Sequence, residues 1–147
     1  MSSIFDKIDN QSIIDRISIL EPDSKPLWGK MSVDQMLKHA NETIIVAFGE
    51  KDIKVNFISR LLGKMSKKNI FNFGFKKNSP TAKEFIFTAK YDFDQVKTEL
   101  IKNFGRFTEK PVPITVMDHP FWGRMTYKDW NKLMWKHIDH HLKQFGV

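Results

Sequence analysis

Three of the chain's five histidines fall within His137-Ile138-Asp139-His140-His141. Residues four apart on a helix lie one above the other, with Cβ atoms about 6 Å apart. Two imidazoles so placed can converge on one divalent ion, each nitrogen about 2.0–2.1 Å from zinc. Direction selects the pair. At about 100° per residue, Trp130, Leu133, Met134, Ile138 and Phe145 make one apolar stripe, and His137 and His141 fall inside it. His140 falls at the edge, roughly 100° from the centre. Burying an imidazole without partners is costly, and one metal ion satisfies two of them together. The chain has no cysteine, so any metal must rest on His, Asp or Glu.

His39 is the best third candidate. It lies between Met36 and Thr43 on the lattice of an earlier helix, toward the edge of that helix's apolar stripe. A structural reading competes with the metal. An i, i+4 histidine pair arises by chance fairly often, and each ring could instead hydrogen-bond a carbonyl or a carboxylate such as Glu42 or Asp118. His119, before Pro120 in a loop, reads as a structural or supporting residue. No general base stands out. The late helix lacks the Glu of His-Glu-x-x-His zincins, Asp139 points away from the stripe, and capping already explains Gln35. Three neutral imidazoles leave a coordination position open to water, whose pKa a metal lowers, or to a thiolate.

The elements that must hold these residues are mostly helical. Ile13, Ile14, Ile17 and Leu20 predict a first amphipathic helix, ending before Pro22. Residues 21–30 read as loop. A second helix is predicted from about Ser32 to Phe48, with Met36, Ala40, Thr43, Ile44 and Ala47 as its core stripe and Gly49 as its stop. Asp52 is a candidate cap for a third, carrying Phe57, Ile58, Leu61, Leu62 and Met65. Residues 67–89 give the weakest signal: Gly74, Asn78, Ser79 and Pro80 indicate loop, and 85–88 suggest a short extended piece. A fourth helix starts near Asp92 or Asp94, carries Val96, Leu100, Ile101 and Phe104, and stops at Gly105. A Pro-rich connection over 110–120 leads to a last helix, about Tyr127 to Phe145. One motif occurs twice. Pro26-Leu27-Trp28-Gly29-Lys30-Met31-Ser32 returns as Pro120-Phe121-Trp122-Gly123-Arg124-Met125-Thr126. Each copy ends on a hydroxyl residue, with Gln35 or Asp129 three positions on, so both read as helix starts.

At 147 residues the chain is expected to form one domain, residues 1–147. The start lacks the apolar region of a signal peptide, and the longest apolar run, residues 44–48, is far too short to cross a bilayer. No membrane partner is therefore expected. The absence of cysteine fits the cytoplasm. The net charge of +7 admits nucleic acid, anionic lipid or acidic small molecules, but lysines scattered along the chain are explained by solubility. Arg60, Lys64, Lys67, Lys68, Lys76 and Lys77 surround Phe71, Phe73 and Phe75, a pattern able to track single-stranded nucleic acid. Phenylalanines so placed more often pack on the fold, so nucleic acid is the weaker alternative.

The run Trp-Gly-Lys-Met-Ser-x-x-Gln-Met-Leu-x-His over 28–39 resembles the DinB/YfiT-like superfamily, and within it a branch known only as a domain of unknown function. His-Pro-Phe-Trp-Gly-Arg-Met-Thr over 119–126 and His-Ile-Asp-His-His-Leu-Lys-Gln-Phe over 137–145 carry the same resemblance. It extends from about Asn10 to Phe145 and is loosest in the middle. It implies an all-α four-helix bundle, here with a short extra N-terminal helix and irregular connections. It also implies nickel or zinc on one early-helix histidine and a late His-x-x-x-His pair. By position these are His39, His137 and His141. Some relatives look like thiol-dependent transferases or isomerases, and relatives often pair through helices. The expectation is thus a metal-dependent transferase or hydrolase acting on a small molecule, with a thiol as one candidate substrate and a homodimer as one candidate assembly. The alternatives are a non-catalytic metal-binding bundle and a basic nucleic-acid or anion binder.

Overall fold

A computed structural model describes residues 2–147. The chain is mostly helical. Its elements in order are α1 (Lys7–Ile19), α2 (Val33–Ala47), α3 (Phe57–Phe73), a 3-10 turn (Lys83–Phe85), α4 (Phe93–Gly105), a second 3-10 turn (Arg106–Thr108), β1 (Asp118–His119), β2 (Gly123–Arg124) and α5 (Tyr127–Gln144).

Helices α1, α2, α4 and α5 build one core, with α2 against α4 as its most extensive contact, and α3 adds Phe71. The N-terminal helix, expected as an extra to the bundle, is thus one of its four because Ile13 and Ile17 are fully buried, and α3 is the helix left outside the four. Each of the four supplies residues at helical spacing: Ile13 and Ile17; Met36, Ala40, Ile44 and Ala47; Val96, Leu100 and Phe104; Trp130, Leu133, Met134 and Ile138. Thr43, counted in the predicted stripe, is half-buried. Asn10 is buried on α1 and donates to the carbonyls of Ile4 and Phe104, both at 2.9 Å. That single amide ties the N-terminal segment to the end of α4 and leaves no buried donor unsatisfied there.

The repeated motif does what its spacing predicts. Gly29 and Gly123 both take positive φ, +82° and +68°, which L side chains rarely adopt. Thr126 and Asp129 form a reciprocal capping box at 3.0 and 3.1 Å, and the Ser32 N–H donates to Gln35 Oε1 at 3.1 Å. Gln35 Nε2 donates to the Ala89 carbonyl at 3.2 Å, so both ends of that side chain are engaged.

Several local expectations change. The third helix is capped by Asn56, whose side chain accepts from the Ser59 N–H at 2.8 Å, and not by Asp52. It runs on to Phe73, so the first part of 67–89 is helical and only Gly74 onward is loop. Residues 83–85 form a 3-10 turn where an extended piece around 85–88 was expected. Gly105 is helical at φ −59° and passes directly into the second 3-10 turn, so the chain is not stopped there by a left-handed residue. The connection before α5 folds into a small antiparallel hairpin, with Asp118 opposite Arg124 and His119 opposite Gly123.

Helix α3 packs on this hairpin and on α5 through its small and polar side. A Cβ on Gly63 would lie 2.3 Å from the Phe121 carbonyl oxygen. Arg60 reaches Asp118 with both carboxylate oxygens at 2.7–2.8 Å, and Lys67 donates to the Arg124 carbonyl at 2.5 Å. In an open helix, Gly→Ala would gain about 1 kcal/mol. Here Gly63→Ala is expected to destabilise by about 1–3 kcal/mol, because backbone must move to admit the methyl. A chemical-denaturation midpoint measures the sign.

Candidate metal centre

His39 sits on α2, and His137 and His141 on α5, where those helices face each other. All three are buried, at 5%, 9% and 6% exposure. His39 Nε2 lies 2.9 Å from His137 Nε2, and His141 Nε2 lies 3.1 Å from the same atom. One potential ligand atom from each of the three lies within 4.8 Å of the others. Tetrahedral ligation at about 2.0–2.1 Å calls for nitrogens roughly 3.3 Å apart. The set is already at that scale. His140 is half-buried and outside it, as its lattice angle predicts.

The outward nitrogens fix the tautomers. His39 Nδ1 is 2.9 Å from the Phe85 carbonyl, which only accepts, so this nitrogen carries the proton. His141 Nδ1 is 2.9 Å from Gln144 Oε1. The Gln144 amide is oriented by its own donation to the Trp28 carbonyl at 2.8 Å, so it too presents an acceptor. Hence His39 and His141 both turn Nε2 lone pairs toward His137. One proton on His137 Nε2 could satisfy one of these contacts and not both. At least one close nitrogen pair is therefore lone pair against lone pair in a buried site. A cation between them removes that conflict, and donating Nδ1–H to a carbonyl is how metal-bound histidines are usually held. The residues fit a divalent ion.

Charge agrees. Burial lowers the pKa of His39, and it lowers that of His137 well below the ordinary value, with the neighbouring histidines adding to the effect. His141 is pushed down to about 3, chiefly by burial. The rings are neutral at ordinary pH, the state a metal requires. Aromatic rings close one side: Phe75 lies 5.4 Å from His137 and 5.9 Å from His140, centroid to centroid. Trp28 packs edge-on to His140 at 5.7 Å, and its buried indole N–H has no acceptor among the described residues.

No carboxylate joins the three histidines among the described residues. Glu42 is buried between Lys38 and Lys51, which hold its carboxyl below the usual range against the effect of burial. Asp118 binds Arg60, and Asp139 binds Arg16 and Lys143. Neither acid considered as a histidine partner reaches the cluster. His119 serves the hairpin. Its Nδ1 accepts from the Phe121 and Trp122 N–H groups at 3.0 and 3.2 Å, and burial pushes its pKa down to about 3.

Sequence reasoning missed three supports: Gln144, the Phe85 carbonyl and the Trp28 carbonyl. Gly29 belongs with them, since a Cβ there would stand 2.6 Å from Gln144 Nε2. Gln144 is the penultimate residue of the recognised His-Ile-Asp-His-His-Leu-Lys-Gln-Phe run, three residues after His141, and that spacing was a readable signal. Gln144→Ala is expected to weaken zinc or nickel binding by about 10–100-fold, the usual effect of removing such a partner. Competition with a chromophoric chelator measures it.

Fold and site together define a mostly helical protein with a buried three-histidine cluster between an early and a late helix. The chain belongs to the family described as "Protein of unknown function (DUF1569)", which matches residues 12–146. No curated protein and no solved structure matches the chain.

Proposed function

We propose that His39, His137 and His141 bind one divalent metal ion, zinc or nickel, and that this is the protein's central chemical property. The observation that carries it is the convergence of three Nε2 atoms, two of whose rings have their protons held outward by Phe85 O and Gln144 Oε1. Imidazole suits both metals, so the ligand set does not choose between them. The early-helix histidine, the late pair and four helices around one core support a DinB/YfiT-like bundle formed by residues 1–147 as one domain.

A three-histidine ion supplies Lewis-acid polarisation of a bound small molecule. We read the protein as a metal-dependent transferase or hydrolase on that basis, with a thiol among the candidate substrates. The chain's part is to hold the ligands neutral, orient them and shield them with Phe75 and Trp28. The missing carboxylate favours a second reading, a non-catalytic metal-binding bundle.

Untagged protein should retain about one zinc or nickel per chain by elemental analysis. After chelation its melting temperature should fall and return on adding metal, since saturating ligand at 1,000 times Kd stabilises by about 4 kcal/mol. Metal-free protein with no thermal response to either ion would reject the reading.

A further inference from the structure

Up to Lys67 helix α3 is packed with its polarity inverted; only its last turn brings an apolar residue, Phe71, into the core. Arg60, Gly63 and Lys67 face the molecule, while Phe57, Ile58, Leu61, Leu62 and Met65 face outward. Phe57 is 79% exposed and Met65 72%. At about 100° per residue the five outward side chains share one face more than two turns long. Other exposed large apolar residues, such as Ile8, Ile86 and Met117, are single. Contiguous apolar faces of this kind mark interaction sites.

Charge selects the occupant. From Ile53 to Lys83 the chain carries eight Lys or Arg and no Asp or Glu. Lysines that look scattered along the whole sequence thus include one stretch of a single sign. Lys54, Lys64 and Lys68 are exposed and form no ion pair among the described residues. On the lattice Lys64 and Lys68 border the apolar face beside Phe57 and Leu61. A second copy docked on this face would bring two stretches of the same sign together. Nucleic acid matches the charge but gives no partner to an aliphatic ridge of Ile, Leu and Met. An anionic bilayer satisfies both features. A convex apolar ridge enters the acyl boundary while rimming lysines meet the headgroups.

We infer that the outer face of α3 docks the protein on anionic lipid surfaces, lying in the interface without crossing it. The expectation of no membrane partner rests on the lack of a spanning segment, which surface docking does not need; among the described residues no helix is long and apolar enough to cross a membrane. The inference stands independently of the metal site.

The test is flotation with phosphatidylcholine vesicles, with and without an equal part of phosphatidylglycerol. Wild type should float with the anionic vesicles only, and less as salt is raised. Leu62→Glu and Leu61→Glu should each lower binding at least about tenfold, with an unchanged melting temperature because both side chains are exposed. Lys64→Glu/Lys68→Glu should lower it similarly. No flotation at low salt overturns the proposal. Equal flotation of Leu62→Glu also overturns it, leaving net charge as the cause. A dimer by sedimentation that Leu62→Glu splits, without vesicle binding, assigns the face to a second copy instead. Binding of single-stranded RNA that needs Leu62, without vesicle binding, assigns it to nucleic acid.

Discussion

His141→Ala should lower zinc or nickel affinity by at least about 100-fold, beyond the 10–100-fold typical for a residue that only supports a ligand. The His141 Nε2 atom is one of three that converge, and among the described residues no carboxylate stands ready to replace it. The metal-free protein should respond differently. Truncating a buried side chain usually costs several kcal/mol through lost packing. Here it also removes a lone pair held 3.1 Å from His137 Nε2, so part of that loss is offset. The variant should melt below wild type after chelation, and further below it in the presence of metal, because only wild type gains the full metal stabilisation. His140→Ala, outside the cluster, should keep affinity within a few-fold. Titration calorimetry and paired melting curves with and without metal read both effects. A variant with full metal affinity, destabilised equally in both states, would make His141 a packing residue and nothing more.

Metal-free protein should lose stability steeply as pH falls from about 6.5. His119 and His141 have folded values near 3, and those of His39 and His137 are lowered, in each case chiefly by burial. An unfolded histidine titrates near 6.5. The unfolded chain therefore takes up protons first, and stability present above about pH 6.5 is lost as pH falls toward the folded values. Each group contributes on the order of 1 kcal/mol per pH unit in that window. The depressed carboxylates Glu42 and Asp139 act in the same direction, but only below their unfolded values near 4. Urea midpoints between pH 7.5 and 5 isolate the histidines. A midpoint constant across that range would mean that the rings are not buried as neutral groups.

The clustering of the three histidines was largely legible in the sequence. His137 and His141 lie inside the stripe of Trp130, Met134 and Ile138, and helical periodicity alone separated them from His140. Both helix starts could be read from Gly29-to-Ser32 and Gly123-to-Thr126, because capping is a local matter of hydroxyls and backbone N–H groups. His39 was the weaker case. At the edge of its stripe it becomes a ligand candidate only because α5 packs there.

The rest was decided in three dimensions. The acceptor for His39 is the Phe85 carbonyl, in the stretch whose pattern was weakest. Every residue has a carbonyl, so sequence bears no mark of which one will be used. Gln144 had a readable spacing, but its role depends on Trp28 O arriving from the opposite end of the chain, across Gly29. Helix α3 makes the point from the other side. Its periodicity correctly gave a helix carrying Phe57, Ile58, Leu61, Leu62 and Met65. An apolar face tells which side of a helix avoids water, not whether a neighbour is there to cover it. Here Gly63 and Arg60 have the neighbour, and the apolar face has none among the described residues. The sequence by itself determined the helices, their starts and the histidine pair, because those follow from local periodicity. Only the tertiary structure decided which lone pairs meet and which face stays open, because both depend on contacts between distant segments.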